Sequence, residues 1–199
     1  YDRMSPDDIV WLSLELADSS ATGGGNVPAV VDSAGRRPSS EWRIHRDIYQ
    51  HRPDAAAVLH AHPPHATALA CLPDGQAGGI PAFHYMVAVA GGVDIRCAAY
   101  ATFGSPALSE ATLAALSGRR ACLMAHHGIV ALGASLDAAL ALAEEVETLA
   151  RMYLLARQLG AAITEGLGAG AELPTFGENG GQVHPVDQGR EEVLTRLVA

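Results

Sequence analysis

Apolar and polar positions along the 199-residue chain fall into short blocks whose period changes, and the blocks predict alternating strands and helices. Residues 7–15 start with turn-forming polar residues and run into Ile9-Val10-Trp11-Leu12, which reads as a strand. Gly23-Gly24-Gly25-Asn26 reads as a hairpin turn leading to a short strand at Ala29-Val30-Val31. Pro38-Ser39-Ser40 precedes a helix that Pro53 ends; Ile44 and Ile48 share one face of it, and Ser39 or Ser40 can cap it. Residues 56–62 form a buried strand stopped by Pro63-Pro64, and residues 65–71 start another helix. Residues 93–98 read as a strand, and Ser105-Pro106 opens a helix that Gly118 closes. Residues 121–125 and 129–132 are two strands joined through His126-His127-Gly128. Residues 135–159 carry the longest helix, with Leu140, Ala143, Val146, Ala150, Tyr153 and Leu154 in one apolar stripe that packs as core or subunit interface. Beyond Gly160 the chain is glycine-rich and loop-forming, until a short helix near residues 191–198. The alternation predicts the α/β class, with a sheet layered between helices.

Composition narrows the classes. The length suits one domain over residues 1–199, with residues 160–199 as a glycine-rich tail. The alanine-rich segment 136–149 is interrupted by Asp137, Glu144, Glu145 and Glu147, so it reads as a soluble helix; a membrane span needs roughly 18 uncharged apolar residues. Cys71, Cys97 and Cys122 are odd in number and widely spaced, and no charged, apolar-cored leader opens the sequence, so a reduced cytoplasmic compartment is expected. A net charge of −9 argues against non-specific nucleic-acid or membrane-surface binding. A phosphorylated metabolite would be held only by locally placed donors. All thirteen basic residues of the sequence are arginine. A Schiff base requires a lysine amine, so carbon–carbon bond chemistry in this sequence would use a metal instead.

The candidate metal ligands are histidines. His60-Ala61-His62 ends an apolar strand, and residues two apart on a strand point the same way, so both imidazoles can reach one ion. A third histidine from a second strand end, with an open position for water or substrate, is the usual form of a catalytic zinc site. His126-His127-Gly128 supplies the candidates; strand alternation lets only one of the two adjacent histidines face the ion. His65, one helical turn beyond His62, is a rival ligand. His45, His51, His84 and His184 sit in polar or loop settings and are assigned no ligand role.

Five motifs occur in order: Pro38-Ser39-Ser40-Glu41-Trp42, His60-Ala61-His62, His84-Tyr85-Met86, Tyr100-Ala101-Thr102-Phe103-Gly104 and His126-His127-Gly128. Together they resemble the class II aldolase/adducin family, in its L-fuculose-phosphate aldolase branch, over more than three quarters of the chain. The resemblance implies a three-layer αβα fold with a central, mostly antiparallel sheet, assembled as a cyclic homotetramer with sites between subunits. It implies Zn2+ bound by His60, His62 and His127. Glu41 is implied as the acid/base carboxylate, although a glutamate at a helix start also suits the helix dipole. Ser39 and Ser40 are implied as phosphate ligands at a helix start, a role hydroxyl and N–H groups there can fill. Tyr85 is implied as a tyrosine reaching a neighbouring subunit's site to handle the aldehyde, and Phe103 as an interface aromatic lining the aldehyde pocket; both also read as interface packing. Relatives carry about 45 residues ahead of the segment matching Tyr1, with a Gly-Asn and a Thr-Gly turn that complete the phosphate pocket, so a longer natural chain is expected. The tail after Gly160 diverges from them.

The implied function is a zinc-dependent aldehyde-lyase, cleaving a ketose 1-phosphate such as fuculose 1-phosphate to dihydroxyacetone phosphate and an aldehyde. A sugar-phosphate epimerase, a dehydratase and a sugar-acid-phosphate decarboxylase use the same scaffold. The epimerase branch carries aspartate where this chain has Glu41. A non-catalytic, adducin-like structural domain lacks the zinc histidines that are present here.

Overall fold

A computed structural model describes Ser5 and residues 8–16, 28–30 and 36–159. The expected turn at 23–26, the tail from 160 and the helix near 191–198 lie outside the described residues. The chain order is β1 (Leu12–Leu16), β2 (Pro28–Val30), α1 (Trp42–His51), β3 (Ala57–Ala61), α2 (Pro64–Ala70), α3 (Pro73–Gly78), a 3-10 helix (Tyr85–Ala90), β4 (Cys97–Ala98), α4 (Pro106–Ala115), β5 (Ala121–Met124), β6 (Gly128–Gly133) and α5 (Leu136–Gln158). The α/β class expected from the alternation is what the chain forms.

β1 and β2 make an antiparallel pair, and the main sheet has strand order β3-β6-β5-β4. β6 pairs antiparallel with both β3 and β5, whereas β4 runs parallel to β5, so the sheet is mixed. Alternation along β5 and β6 divides the core. Ala121, Leu123, Ile129 and Ala131 pack with α2, the 3-10 helix and α5. Cys122, Met124, Val130 and Leu132 pack with Ile44 and Ile48 of α1 and Leu108 and Ala115 of α4. Helices therefore cover both faces of the sheet, which is why β5 is buried at every position.

Several elements differ from the pattern's expectation, among them the unpredicted 3-10 helix Tyr85–Ala90. The first strand begins at Leu12 rather than near Ile9, because Val10 is buried against Trp42 and only from Leu12 does the backbone pair with β2. Residues 93–98 shrink to the two-residue β4: Ile95 bonds through both its N–H and its carbonyl to Ile80, 2.9 Å each way, instead of continuing the ladder. α1 starts at Trp42 with Glu41 at its N-cap and no side-chain cap; Ser39 Oγ accepts the Glu41 N–H at 3.3 Å, so neither serine caps the helix. α3 is not among the elements the pattern predicts, and it contains Gly75. Its missing Cβ is what the packing needs, since a Cβ there would lie 2.0 Å from the Leu69 carbonyl oxygen.

Candidate metal centre and active site

β3 ends at Ala61, and the extended backbone sends His60 and the next-but-one His62 to the same side. The β5–β6 hairpin brings up the third imidazole. Met124 pairs with Gly128, so the connection is only Ala125-His126-His127. His126 takes the left-handed conformation, φ 56°, a position histidine tolerates better than most residues. That twist turns the two neighbouring rings apart. The His126 ring meets Gln76 Nε2 at 2.7 Å and the edge of Tyr100, while His127 joins His60 and His62. The ambiguity between the two histidines is resolved in favour of His127 as the one in the cluster. His65 is drawn off to Glu147 and does not join it.

The ligand nitrogens of His60, His62 and His127 lie within 4.8 Å of one another. Nε2 of His60 and Nε2 of His62 are 3.0 Å apart. Nitrogens spaced tetrahedrally at zinc–nitrogen distances would be separated by about 3.4 Å, so the spacing is close to that of a shared ion. A main-chain carbonyl can only accept, so the 2.9 Å contact of His60 Nδ1 with Ile129 O places the proton on Nδ1 and leaves Nε2 a bare lone pair. Glu41 Oε2 lies 4.0 Å from His60 Nε2 and 3.8 Å from His127 Nε2, and it is buried with no hydrogen-bond partner. A buried carboxylate oxygen facing imine nitrogens without a donor fits a cation between them. The three imidazoles and the carboxylate thus suit a divalent metal of zinc's kind.

The electrostatics agree. Burial pushes the His60 pKa down to about 4, against the pull of the Ile129 carbonyl and with help from His127, His62 and His45. Burial also lowers the pKa of His127, with Glu41 opposing and His62 assisting. Neutral imidazoles are the form that binds metal. Gly128 makes room for this arrangement: a Cβ there would lie 2.3 Å from the Ala61 carbonyl oxygen and 2.7 Å from His62 Cδ2.

A cleft of about 990 Å³ opens beside the cluster, with Ser39, Ser40, Glu41, His60 and His62 in its wall. Phe103 is exposed, on a loop that passes close to Ser40, since a Cβ on Gly104 would lie 3.0 Å from the Ser40 carbonyl oxygen. Tyr85 is half-exposed at the start of the 3-10 helix, with its ring tilted 38° against that of His84, centroids 4.7 Å apart. His45, expected in a polar or loop setting, is buried instead. It lies one turn after Glu41 on α1, only 2% exposed, and lines the same cleft. Its position between Ile44 and Ile48 on the buried face was the available signal.

The chain belongs to the class II aldolase and adducin family, whose Class II Aldolase and Adducin N-terminal domain matches residues 1–154. Among its relatives, a 5-methylthioribulose-1-phosphate/5-deoxyribulose-1-phosphate aldolase of Rhodospirillum rubrum is 59% identical over 128 residues, covering 62% of this chain and 56% of that protein. An L-fuculose phosphate aldolase of Escherichia coli K12 is 53% identical over 120 residues, 60% of this chain and 54% of that protein. A solved L-fuculose 1-phosphate aldolase superposes with a TM-score of 0.66 at 41% identity, over 80% of this chain and 67% of that one. The chain spans little more than half the length of the two curated relatives. No helix among the described residues is long and apolar enough to cross a membrane.

Proposed function

We propose that the protein is a zinc-dependent aldehyde-lyase, which cleaves a small ketose 1-phosphate to dihydroxyacetone phosphate and an aldehyde. The observation that carries the reading is the unpartnered, buried Glu41 oxygen set against three converging imidazoles. A zinc ion held by His60, His62 and His127 would supply Lewis acidity to the ketose carbonyl. In the cleavage the C4 hydroxyl loses its proton, the C3–C4 bond breaks, and the electron pair left on C3 is protonated. Glu41, as carboxylate, takes the proton from the C4 hydroxyl and returns it to C3, while the Tyr85 hydroxyl of a neighbouring subunit donates a hydrogen bond to the aldehyde oxygen. Ser39 and Ser40 hold the phosphate at the start of α1. Phe103 walls the aldehyde end. These roles call for a homotetramer, in which the exposed Tyr85 and Phe103 become interface residues. We read the whole domain as the three-layer αβα arrangement with a mostly antiparallel sheet; the antiparallel β3-β6-β5 run and the helices on both faces support it.

The names of the relatives point to fuculose and 5-substituted ribulose 1-phosphates as substrates to try. The test is to incubate the full-length protein with L-fuculose 1-phosphate, 5-deoxyribulose 1-phosphate and 5-methylthioribulose 1-phosphate, and to assay dihydroxyacetone phosphate. Release from at least one is expected. No release from any, beside clear epimerisation, dehydration or decarboxylation of another sugar phosphate, would overturn the aldolase reading and leave the metal scaffold intact.

A further inference from the structure

The three imidazoles are not held alike. His60 is fixed by the Ile129 carbonyl, and His127 by a three-residue hairpin connection. His62 is the exposed member, and among the described residues its ring has no carbonyl or carboxylate partner; its one hydrogen-bond contact is His60 Nε2. Its position therefore depends on the backbone that leaves it. Two prolines follow at once: Pro63 is extended, with φ −69° and ψ 143°, and Pro64 opens α2. Proline rings fix φ, so this corner is stiff and transmits the placement of α2 back to His62.

What places α2 is remote. Pro63, as N-cap, has no side chain able to satisfy the first N–H groups of the helix. Glu147 supplies the cap from α5, 81–82 residues further along the chain. Its Oε2 accepts from Ala66 N at 2.8 Å and from His65 N at 3.1 Å; its Oε1 accepts from His65 N at 3.0 Å and meets His65 Nδ1 at 2.6 Å. Burial opposes the charge on Glu147, but the N–H groups of His65 and Ala66 and the His65 ring outweigh it and hold the carboxyl below its ordinary range.

We infer that Glu147 is a positioning residue for the metal ligand His62: it clamps the first turn of α2 and so sets, through Pro63-Pro64, where the His62 ring meets the ion. This rests on the reading of His60, His62 and His127 as a metal site. Ligand-supporting partners of this kind are worth about 10–100-fold in metal affinity. The supports for the two strand-borne ligands then differ in kind, a direct carbonyl bond for His60 and a leveraged helix for His62.

The test is Zn2+ affinity of the full-length protein, by competition with a chromophoric chelator, in wild type, Glu147→Gln, His62→Ala and the double variant. Glutamine keeps the shape of Glu147 but removes its charge and one of its two acceptor oxygens, so the clamp weakens. Glu147→Gln is expected to weaken zinc binding about 10–100-fold in the wild-type background and to have almost no further effect once His62 is alanine. Glu144→Gln, which removes the same charge from α5 one turn away, is expected to leave the affinity near wild type. Co2+-substituted Glu147→Gln is expected to show an altered d–d spectrum, a readout that a loss of general stability would not move. Should Glu147→Gln fail to fold, Glu147→Asp, which keeps the charge but retracts it by one methylene, carries the same comparison. Equal zinc affinity in wild type and Glu147 variants overturns the inference, and so does the same fold-loss with and without His62. A wild-type protein that takes up no divalent ion overturns the metal reading itself, which is a different result from either.

Discussion

Two buried imidazoles make the metal-free protein sensitive to mild acid, and the size of the effect follows from their burial. His45 is 2% exposed and the His60 side chain 8%. Burial pushes both pKa values down to about 4, despite a bond from each ring to a main-chain carbonyl, Val58 for His45 and Ile129 for His60. In the unfolded chain an imidazole titrates near about 6.5. Between these limits the unfolded chain binds protons that the folded one refuses. Stability therefore falls as the pH drops from about 6.5 towards 4, and is fully present above the unfolded value. At about pH 5 each group costs on the order of 2 kcal/mol, about 4 kcal/mol for the pair, against a total stability of about 5–15 kcal/mol for a typical domain. His127, also lowered by burial, adds in the same direction. Asp54 and Glu147 have carboxyls held below their ordinary range, so their contributions are lost only at lower pH and do not blur this window. The assay is urea unfolding of chelator-treated protein, stepped from about pH 7 to about pH 5, beside a His45→Phe variant that keeps an aromatic ring but cannot titrate. The midpoint should fall steeply in wild type and about half as steeply in the variant. A midpoint that stays level across the range, or a slope that His45→Phe leaves unchanged, would refute the reasoning.

Purified full-length protein should carry close to one zinc per chain, lost on changing His60, His62 or His127 to alanine and kept in His65→Ala and His126→Ala; elemental analysis decides it. Glu41→Gln should keep the zinc and the fold and lose about 10²–10⁴-fold in turnover, read from dihydroxyacetone phosphate release. Wild-type turnover there would reduce Glu41 to a helix-end charge. Gly128→Ala should force its new Cβ against the Ala61 carbonyl and His62 Cδ2, costing about 1–3 kcal/mol in urea unfolding and weakening zinc binding at the same time. The assembly should sediment as a tetramer at micromolar concentration; a monomer would leave Tyr85 and Phe103 without a partner site.

Much of the site was legible because it is encoded in short periods. A strand repeats every second residue, so His60 and His62 had to share a face, and an alternating β5–β6 pair had to present its connecting histidines at one end. The apolar stripe of α5 likewise follows from helical spacing: Ala143, Val146 and Ala150 are all buried as the stripe requires. Leu140, read as part of that stripe, is exposed instead, because it faces the cleft rather than the sheet. The tertiary structure alone decided between His126 and His127, since that choice depends on one left-handed residue stabilised by Gln76 from another helix. It also decided that His45 is buried beneath the cleft; the neighbouring Ile44 and Ile48 mark a buried helix face, but only the packing shows that the imidazole joins it. Glu147 looked in the sequence like one of several charges that keep a helix soluble. It became a helix cap close to His62 because folding brought α5 across the start of α2. Contacts between residues more than eighty positions apart leave no periodic trace in the chain; they exist only once the sheet has set which helices lie side by side.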